Sequence, residues 1–198
     1  KEVGGDFYDF YKLNDTTVAF LAADVSGKGI PAAMFMMTAK TIIKDLAESG
    51  MAVNDIFTRA NEKLCENNEA DMFVTAWMGI LDLQTGNMKY ANAGHNPPLL
   101  KHADGSFEYL RSRAGFVLAG IEGFNYRINE LQLKAGDRLF LYTDGVPEAT
   151  NAESELYGED RLLNFMNQNT AAPATELLPA LKADIDAFVG EAPQFDDI

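Results

Sequence analysis

The sequence predicts an α+β domain in which antiparallel strands and helices form separate layers. Short apolar runs follow one another in pairs across turn sequences such as Asn14-Asp15 and Gln84-Thr85-Gly86-Asn87, which is typical of β-hairpins. The helical patterns are grouped, with two after the first hairpin in sequence and two at the carboxyl end, and they do not alternate with single strands. Grouped helices beside hairpins indicate a layered antiparallel fold, whereas strict alternation would indicate a parallel doubly wound sheet.

The first third of the chain is predicted to form a hairpin followed by two amphipathic helices. Pro31 suits the first turn of the first helix, Ser49-Gly50 stops that helix, and Asn54 is the expected N-cap of the second. The predicted ranges are 7–13 and 16–23 for the strands, and 31–48 and 54–67 for the helices.

The rest of the chain changes to the period of two that is typical of strands, before two final helices. One apolar run ends at Thr143-Asp144-Gly145, where glycine lets the chain turn sharply, and Pro173 marks the start of the last helix. Trp77 is expected in the core, and His95 is interpreted as a loop-organising residue. The predicted strands are 72–83, 88–93, 99–102, 107–110, 126–133 and 138–142, and the predicted helices are 158–169 and 174–189.

Composition limits what such a fold can do. A chain of 198 residues with 47% hydrophobic residues fits a single domain, 1–198, whose motif-rich ends indicate that it is cut from a longer protein. The net charge of −14 repels phosphate backbones and anionic lipid surfaces, so nucleic acid is excluded as a partner. No apolar run approaches the roughly 18 residues of a membrane helix, and the lone Cys65 suits a reducing compartment. We therefore expect a soluble, cytoplasmic protein without membrane insertion.

Four carboxylates are placed where the fold can bring them together. Asp24 and Asp144 each follow an apolar strand and precede a glycine-bearing loop, Asp6 lies just before the first strand, and Asp196 lies near the chain end. Two unit charges 4 Å apart repel by about 1 kcal/mol in water and about 4 kcal/mol at an effective dielectric constant near 20. A cluster of four carboxylates therefore requires a cation.

The chemistry of these ligands indicates which cation and which reaction. Oxygen ligands without a Cys or His pair select Mg²⁺ or Mn²⁺ over zinc. Two such ions lower the pKa of a shared water and hold a phosphoryl group for in-line attack, which is phosphoester hydrolysis. An Asp at a strand end also commonly forms a turn or caps a helix, so on spacing alone both interpretations stay open.

Five sequence motifs occur in a fixed order along the chain. They are Gly4-Gly5-Asp6-Phe7-Tyr8-Asp9, Ala23-Asp24-Val25-Ser26-Gly27-Lys28-Gly29, Ala91-Asn92-Ala93-Gly94-His95-Asn96-Pro97-Pro98, Tyr142-Thr143-Asp144-Gly145-Val146-Pro147-Glu148-Ala149 and Asp196-Asp197-Ile198. Together they resemble the motifs of the bacterial SpoIIE-like phosphatase domains, a branch of the metal-dependent PPM Ser/Thr protein phosphatases, over essentially the whole chain.

The resemblance implies a fold, an activity and a partner. The implied fold is an αββα sandwich, in which two antiparallel sheets pack face to face with helices outside. The implied reaction is hydrolysis of phosphoserine or phosphothreonine on a protein by a metal-activated water. In this branch the substrate is typically a phosphorylated anti-anti-sigma-factor-like protein, and a sensor or receiver domain lies upstream in the full-length chain.

The resemblance also assigns two Mn²⁺ or Mg²⁺ ions and the residues that hold them. The implied metal ligands are Asp6, Asp24, the backbone carbonyl of Val25, Asp144, Asp196 and Asp197. Asp197 can exchange roles with Asp196. Asp6, Asp24, Asp144 and Asp196 are also the implied catalytic residues.

This sequence departs from the larger PPM relatives at two places. Those relatives have Gly and then His after the second Asp, with the His as proposed general acid, whereas this chain has Val25 and Ser26. They also place a phosphate-binding Arg before the first Asp, and none precedes Asp6 here. We assign Ser26, Gly27 and Lys28 to substrate binding, with Lys28 either replacing that Arg or remaining a solvated loop lysine.

Two functions of different classes remain as hypotheses. The first is an active phosphatase, which retention of four mutually repelling carboxylates favours. The second is a catalytically weak interaction module that binds its partner through the first helix, where Met34, Met36 and Met37 lie. Our preferred interpretation of these methionines is core filling. Arg111 and Arg113 are interpreted as exposed turn residues, with contact to acidic substrate groups as the alternative, and homodimerisation is left open.

Overall fold

The computed structural model describes residues 4–66, 68, 70–193 and 197. In chain order the elements are β1 Phe7–Lys12, β2 Thr17–Val25, α1 Gly29–Glu48, α2 Val53–Cys65, β3 Val74–Asp82, β4 Asn87–Ala93, β5 Leu99–Lys101, β6 Phe107–Tyr109, β7 Asn129–Gln132, β8 Arg138–Phe140, α3 Gly158–Gln168 and α4 Ala174–Val189. The strands form two antiparallel sheets. The predicted α+β class with two antiparallel sheets and helices is confirmed.

The chain consists of two compact units. Unit 1 comprises Lys1–Asn96 and Arg111–Ala135, and unit 2 comprises Pro97–Leu110 and Gly136–Ile198. Unit 1 holds a five-stranded sheet in the order β1-β2-β3-β4-β7, with α1 and α2. Unit 2 holds a three-stranded sheet in the order β6-β5-β8, with α3 and α4. The single-domain assignment of 1–198 stays a prediction.

In unit 1, α1 and α2 share a hydrophobic core with the five-stranded sheet. Fully burying a large aliphatic or aromatic side chain contributes about 1.5–3 kcal/mol, so this core supplies much of the stability of the unit. The buried helix residues recur at helical spacing and include Ala32, Ala39, Ile43 and Leu46 on α1, and Ile56, Phe57, Ala60 and Leu64 on α2.

Trp77 is fully buried, as the sequence predicts. It alternates along β3 with Ala76 and Met78, which belong to the helix-covered core, so its indole lies on the other face of the sheet. There it stacks on Tyr90 at a centroid distance of 5.1 Å and lies 5.9 Å from the ring of Phe20. Both faces of the central strands therefore carry buried side chains.

Unit 2 is built around the packing of α3 and α4. Tyr157 donates its hydroxyl to Asp184 at 2.6 Å, and the guanidinium of Arg161 lies 4.2 Å from the ring centroid of Phe188. These contacts join the start of α3 to the second half of α4. The buried side chains of the two helices are Leu162, Met166, Leu177, Leu181 and Ile185.

The strands β7 and β8 are neighbours in sequence but belong to different sheets. β7 pairs with β4, and β8 pairs with β5. The strand predicted over 138–142 also ends early, because the last pair of its ladder is Leu99↔Phe140. One step further the partner would be Pro98, which has no backbone N–H to donate.

The prediction that the methionines of α1 fill a core is wrong for two of them. Met34 is 68% exposed and Met37 is 58% exposed, whereas Met36 is partly buried against the core. The helix is apolar on more than one side, so its periodicity does not decide which side is covered. The small residues Ala32 and Ala39 allow close packing on their own side.

The start of α2 also differs from the prediction. Its N-cap is Ala52, and Asn54 lies inside the first turn, where its amide donates to Asp55. Val53 is buried in the core, so packing rather than a side-chain cap determines where this helix begins. Among the helices of the described ranges, none is both long enough and apolar enough to cross a membrane.

Candidate functional site

Asp6 and Asp24 lie at the same end of two paired strands in unit 1. The ladder of β1 and β2 reaches the pair Phe7↔Ala23, and its register places Asp6 opposite Asp24 one residue further. Directly opposed residues of an antiparallel pair have Cβ atoms about 4.5–5.5 Å apart, on the same face of the sheet. The structure therefore brings these two predicted ligands together.

The sequence predicts that Asp24 follows its strand, but the structure places Asp24 inside β2. The strand continues to Val25, and Asp24 pairs with Thr75 of β3. The glycines that end the strand come later, at Gly27 and Gly29, with φ values of 85° and 74°. The carboxylate is consequently carried by sheet backbone, which holds it more firmly than a loop would.

Gly5 lies against the backbone of Val25. A Cβ on Gly5 would be 2.7 Å from the carbonyl oxygen of Val25 and 3.1 Å from its Cβ. This contact extends the register of the β1–β2 pair by a further residue, and it explains why a glycine precedes Asp6. Only glycine leaves the Val25 carbonyl in its place.

Replacing Gly5 by Ala is expected to weaken manganese binding by about 10-fold or more, the usual cost of disturbing a metal-supporting contact. The added methyl group must displace either the strand or the Val25 carbonyl, which is one of the predicted ligands. The measurement is a manganese titration by calorimetry. Gly105→Ala is the matched control, since a Cβ there meets its nearest atom at 3.7 Å. An unchanged manganese affinity in Gly5→Ala would contradict the role of the Val25 carbonyl.

The loop between β2 and α1 is fixed by Ser26. Its backbone N–H donates to the carbonyl of Phe73 at 2.9 Å, and the N–H of Phe73 donates to Ser26 Oγ at 2.9 Å. Lys28 is exposed at the N-cap of α1, between the two left-handed glycines. The predicted substrate-binding residues 26–28 thus begin two positions after Asp24, and Ser26 anchors their loop.

In unit 2, Asp144 lies in a turn that the rest of the unit holds in place. Its carbonyl accepts the N–H of Glu148 at 2.8 Å, and the turn is tied to the start of α3 because Gly158 donates to the carbonyl of Pro147 at 2.8 Å. Asp144 is half-buried, while Gly145 and Val146 are buried. This anchoring fixes the backbone that carries the Asp144 side chain within unit 2.

The end of the chain is described only in part. Asp197 is half-buried. Asp196 lies outside the described residues, so its assignment as a catalytic and metal-binding residue stays a prediction. Over 4–66, 68, 70–193 and 197, no group of three or more His, Cys, Asp or Glu side chains is close enough to hold a metal ion. The convergence of all four predicted carboxylates is likewise a prediction.

His95 organises its loop, as the sequence predicts. Its backbone N–H donates to Asn92 Oδ1 at 2.8 Å, and the Asn92 amide donates back to the carbonyl of His95 at 2.9 Å. Its ring Nδ1 lies 2.9 Å from the hydroxyl of Thr75, the cross-strand partner of Asp24. Thr75 is not predictable from the sequence as a neighbour of the site, since a threonine inside a strand carries no functional signal of its own. Arg111 and Arg113 are exposed, as expected.

The residues in unit 1 fit a hard divalent cation. Two opposed carboxylates and an adjacent backbone carbonyl supply only oxygen ligands, which Mg²⁺ and Mn²⁺ prefer. The opposed charges of Asp6 and Asp24 also repel each other, and a cation relieves that repulsion. Both the chemistry of the ligands and their electrostatics favour binding of such an ion.

Comparison with known proteins identifies relatives of the chain. The family model described as Stage II sporulation protein E (SpoIIE) matches residues 14–198. Protein IcfG of Synechocystis sp. is 30% identical over 225 residues, which covers 100% of this chain and 35% of IcfG. Phosphoserine phosphatase RsbU of Bacillus subtilis is 30% identical over 179 residues, which covers 90% of this chain and 52% of RsbU. The chain thus spans about a third to a half of the length of these curated relatives.

A solved structure resembles the fold. The SiaA-PP2C domain of Pseudomonas aeruginosa aligns with a TM-score of 0.85 at 21% sequence identity, covering 98% of this chain and 78% of that one. At this level of identity the likeness shows the fold alone. It agrees with the two antiparallel sheets and four helices of the described residues.

Proposed function

Because the chain belongs to the SpoIIE-like branch of the PPM serine/threonine protein phosphatases, we propose that it hydrolyses a phosphoserine or phosphothreonine ester on a partner protein. The observation that carries this proposal is the register that sets Asp6 opposite Asp24 beside the Val25 carbonyl. A relative that is 30% identical is named a phosphoserine phosphatase, which supports the same reaction. We further propose that the substrate is a phosphorylated anti-anti-sigma-factor-like protein.

The proposed cofactor is a pair of Mn²⁺ or Mg²⁺ ions. When bound, such ions supply a nucleophilic water at neutral pH and offset the negative charge of the phosphoryl group. The proposed ligands are Asp6, Asp24, the Val25 carbonyl, Asp144, Asp196 and Asp197.

The loop after β2 positions the substrate. Ser26 fixes the loop through its two hydrogen bonds with Phe73, so the backbone beside Asp24 does not change conformation when a phosphate binds. Lys28 stands at the amino end of α1, where its charge and the helix dipole both favour an anion. The two residues directly after Asp24 are Val25 and Ser26, and neither is a histidine, so we assign protonation of the leaving serine oxygen to solvent.

Manganese-dependent turnover tests the proposed function. We expect the protein to hydrolyse p-nitrophenyl phosphate and a serine-phosphorylated anti-anti-sigma-factor-like protein with Mn²⁺ present, and to lose both activities in excess EDTA. Restoring Mn²⁺ after EDTA treatment should restore both. Absence of both metal uptake and turnover would contradict the proposal and favour the alternative, a catalytically weak phosphatase-fold module that binds a signalling partner through α1.

A further inference from the structure

One side of α1 presents three large apolar side chains to solvent. Ile30, Met34 and Met37 are 70%, 68% and 58% exposed, and their spacing of four and three residues places them in one stripe. We call these three residues the α1 face. The buried stripe of the same helix contains Ala32 and Ala39, so the α1 face points away from the core of unit 1.

The threonine hydroxyls beside the α1 face bind backbone carbonyls of their own helix. Thr38 donates its hydroxyl to the carbonyl of Met34 at 3.1 Å, and Thr41 donates its hydroxyl to the carbonyl of Met37 at 2.8 Å. These bonds leave mainly methyl and thioether groups at the surface. Flexible methionines of this kind adapt to a partner's apolar side chains.

The α1 face differs in charge from the rest of the chain. Unit 2 holds 15 acidic and 4 basic residues, whereas unit 1 holds 15 acidic and 12 basic residues. Residues 25–44, which include the α1 face, contain no Asp or Glu. Lys40, on the same helix, pairs with Asp9 at 3.2 Å. A phosphoserine carries about −1.5 to −2 charges at pH 7, so it is repelled by the net negative charge of unit 2 but meets no carboxylate of residues 25–44 along the α1 face.

The α1 face also begins next to the proposed phosphate site. The helix starts at Gly29, directly after Lys28, and a rise of 1.5 Å per residue gives about 10 Å from Ile30 to Met37. A folded protein whose phosphoserine reaches Lys28 is large enough to extend along this distance. p-Nitrophenyl phosphate is too small to do so.

We propose that the α1 face is the docking surface for the phosphoprotein substrate, and that it takes an apolar patch beside the phosphoserine. This inference rests on the proposed function, because the substrate must be a phosphoprotein. Apolar docking supplies affinity that electrostatic attraction cannot give, because this chain has a net charge of −14 and the phosphoserine is itself anionic. The α1 face then distinguishes the whole phosphoprotein from small phosphate esters.

The test compares three substrates in one set of variants. The double variant Met34→Glu/Met37→Glu is expected to raise KM for the phosphorylated anti-anti-sigma-factor-like protein by about 10-fold or more. Burying a single methionine side chain against the partner already accounts for about a 10-fold difference in affinity. The kcat/KM for p-nitrophenyl phosphate and for a short phosphoserine peptide from the same protein should stay within about 2-fold of wild type. The matched control is Leu178→Glu, because Leu178 is an apolar residue of α4 that is 51% exposed, and this variant should change none of these values. Met37→Gln introduces no charge and should also raise KM for the phosphoprotein.

The possible outcomes separate this inference from the proposed function. If the wild-type protein hydrolyses neither the phosphoprotein nor p-nitrophenyl phosphate, the proposed function itself fails. If that activity is normal and the phosphoprotein KM of the double variant is unchanged, only the docking surface is refuted. An equal loss on all three substrates would mean that the α1 face acts on catalysis, and a change of mass in light scattering would assign it to contact between two copies. Either result would overturn the docking role.

Discussion

Asp144→Asn is expected to lower manganese-dependent hydrolysis of p-nitrophenyl phosphate by at least about 100-fold, more than is usual for loss of a residue that only supports a ligand. The substitution keeps the shape of the side chain but removes its negative charge, which the proposed cation site requires. The turn around Asp144 is held by backbone hydrogen bonds, from Glu148 to Asp144 and from Gly158 to Pro147, and these are unaffected. The fold should therefore remain, as measured by circular dichroism and thermal unfolding.

Asp104→Asn controls for the change of charge, because Asp104 is an exposed residue between β5 and β6. This variant should keep full activity. Asp144→Asn with near wild-type turnover would contradict its assignment as a ligand. A loss of activity accompanied by unfolding would instead assign Asp144 a structural role.

Asn61→Leu is expected to destabilise unit 1 by about 2–5 kcal/mol, since it leaves buried backbone groups without their hydrogen-bond partner. The Asn61 side chain is fully buried on α2, where its amide donates to the carbonyl of Ile121 at 2.9 Å and its Oδ1 accepts the N–H of Ala119 at 2.8 Å. Ala119 has a φ of 63°, a left-handed conformation that the hydrogen bond helps to hold. Urea unfolding measures the change in free energy.

The same substitution is expected to loosen the loop that follows Asp24. Leu118, next to Ala119, exchanges both backbone hydrogen bonds with Val74, and the neighbouring Phe73 binds Ser26. We therefore expect weaker manganese affinity in Asn61→Leu. Asn164→Leu, at an exposed position of α3, is the matched control and should change stability by less than about 0.5 kcal/mol. Equal stability of the two variants would show that Asn61 is dispensable.

The local parts of the fold are the ones that the sequence predicts well. The first hairpin, α3 and α4 agree with their predicted ranges within two residues, because turn residues, glycine and Pro173 mark their ends. Assignment of β7 and β8 to separate sheets depends on pairing with strands distant in sequence. No local pattern encodes such pairing, so the sequence left it undetermined.

In the candidate site too, local contacts are predictable from the sequence and contacts between distant residues are not. Asp6 and Asp24 are predictable as neighbours because a short hairpin sets their register. The contact between His95 and Thr75 joins residues 20 positions apart and has no signature in either one. The exposure of Met34 could not be predicted from the sequence either, since a helix that is apolar on several sides does not reveal which side the sheet covers.

Calorimetric titration of the protein with manganese, followed by a turnover assay on the same sample, tests whether Asp24 belongs to a metal site that supports phosphate ester hydrolysis. We expect saturable binding of two ions per chain, activity that rises with occupancy, and loss of at least one binding event in Asp24→Asn. A metal site at Asp24 would be contradicted if the wild-type protein binds no manganese and releases no phosphate, or if Asp24→Asn binds manganese and turns over like wild type.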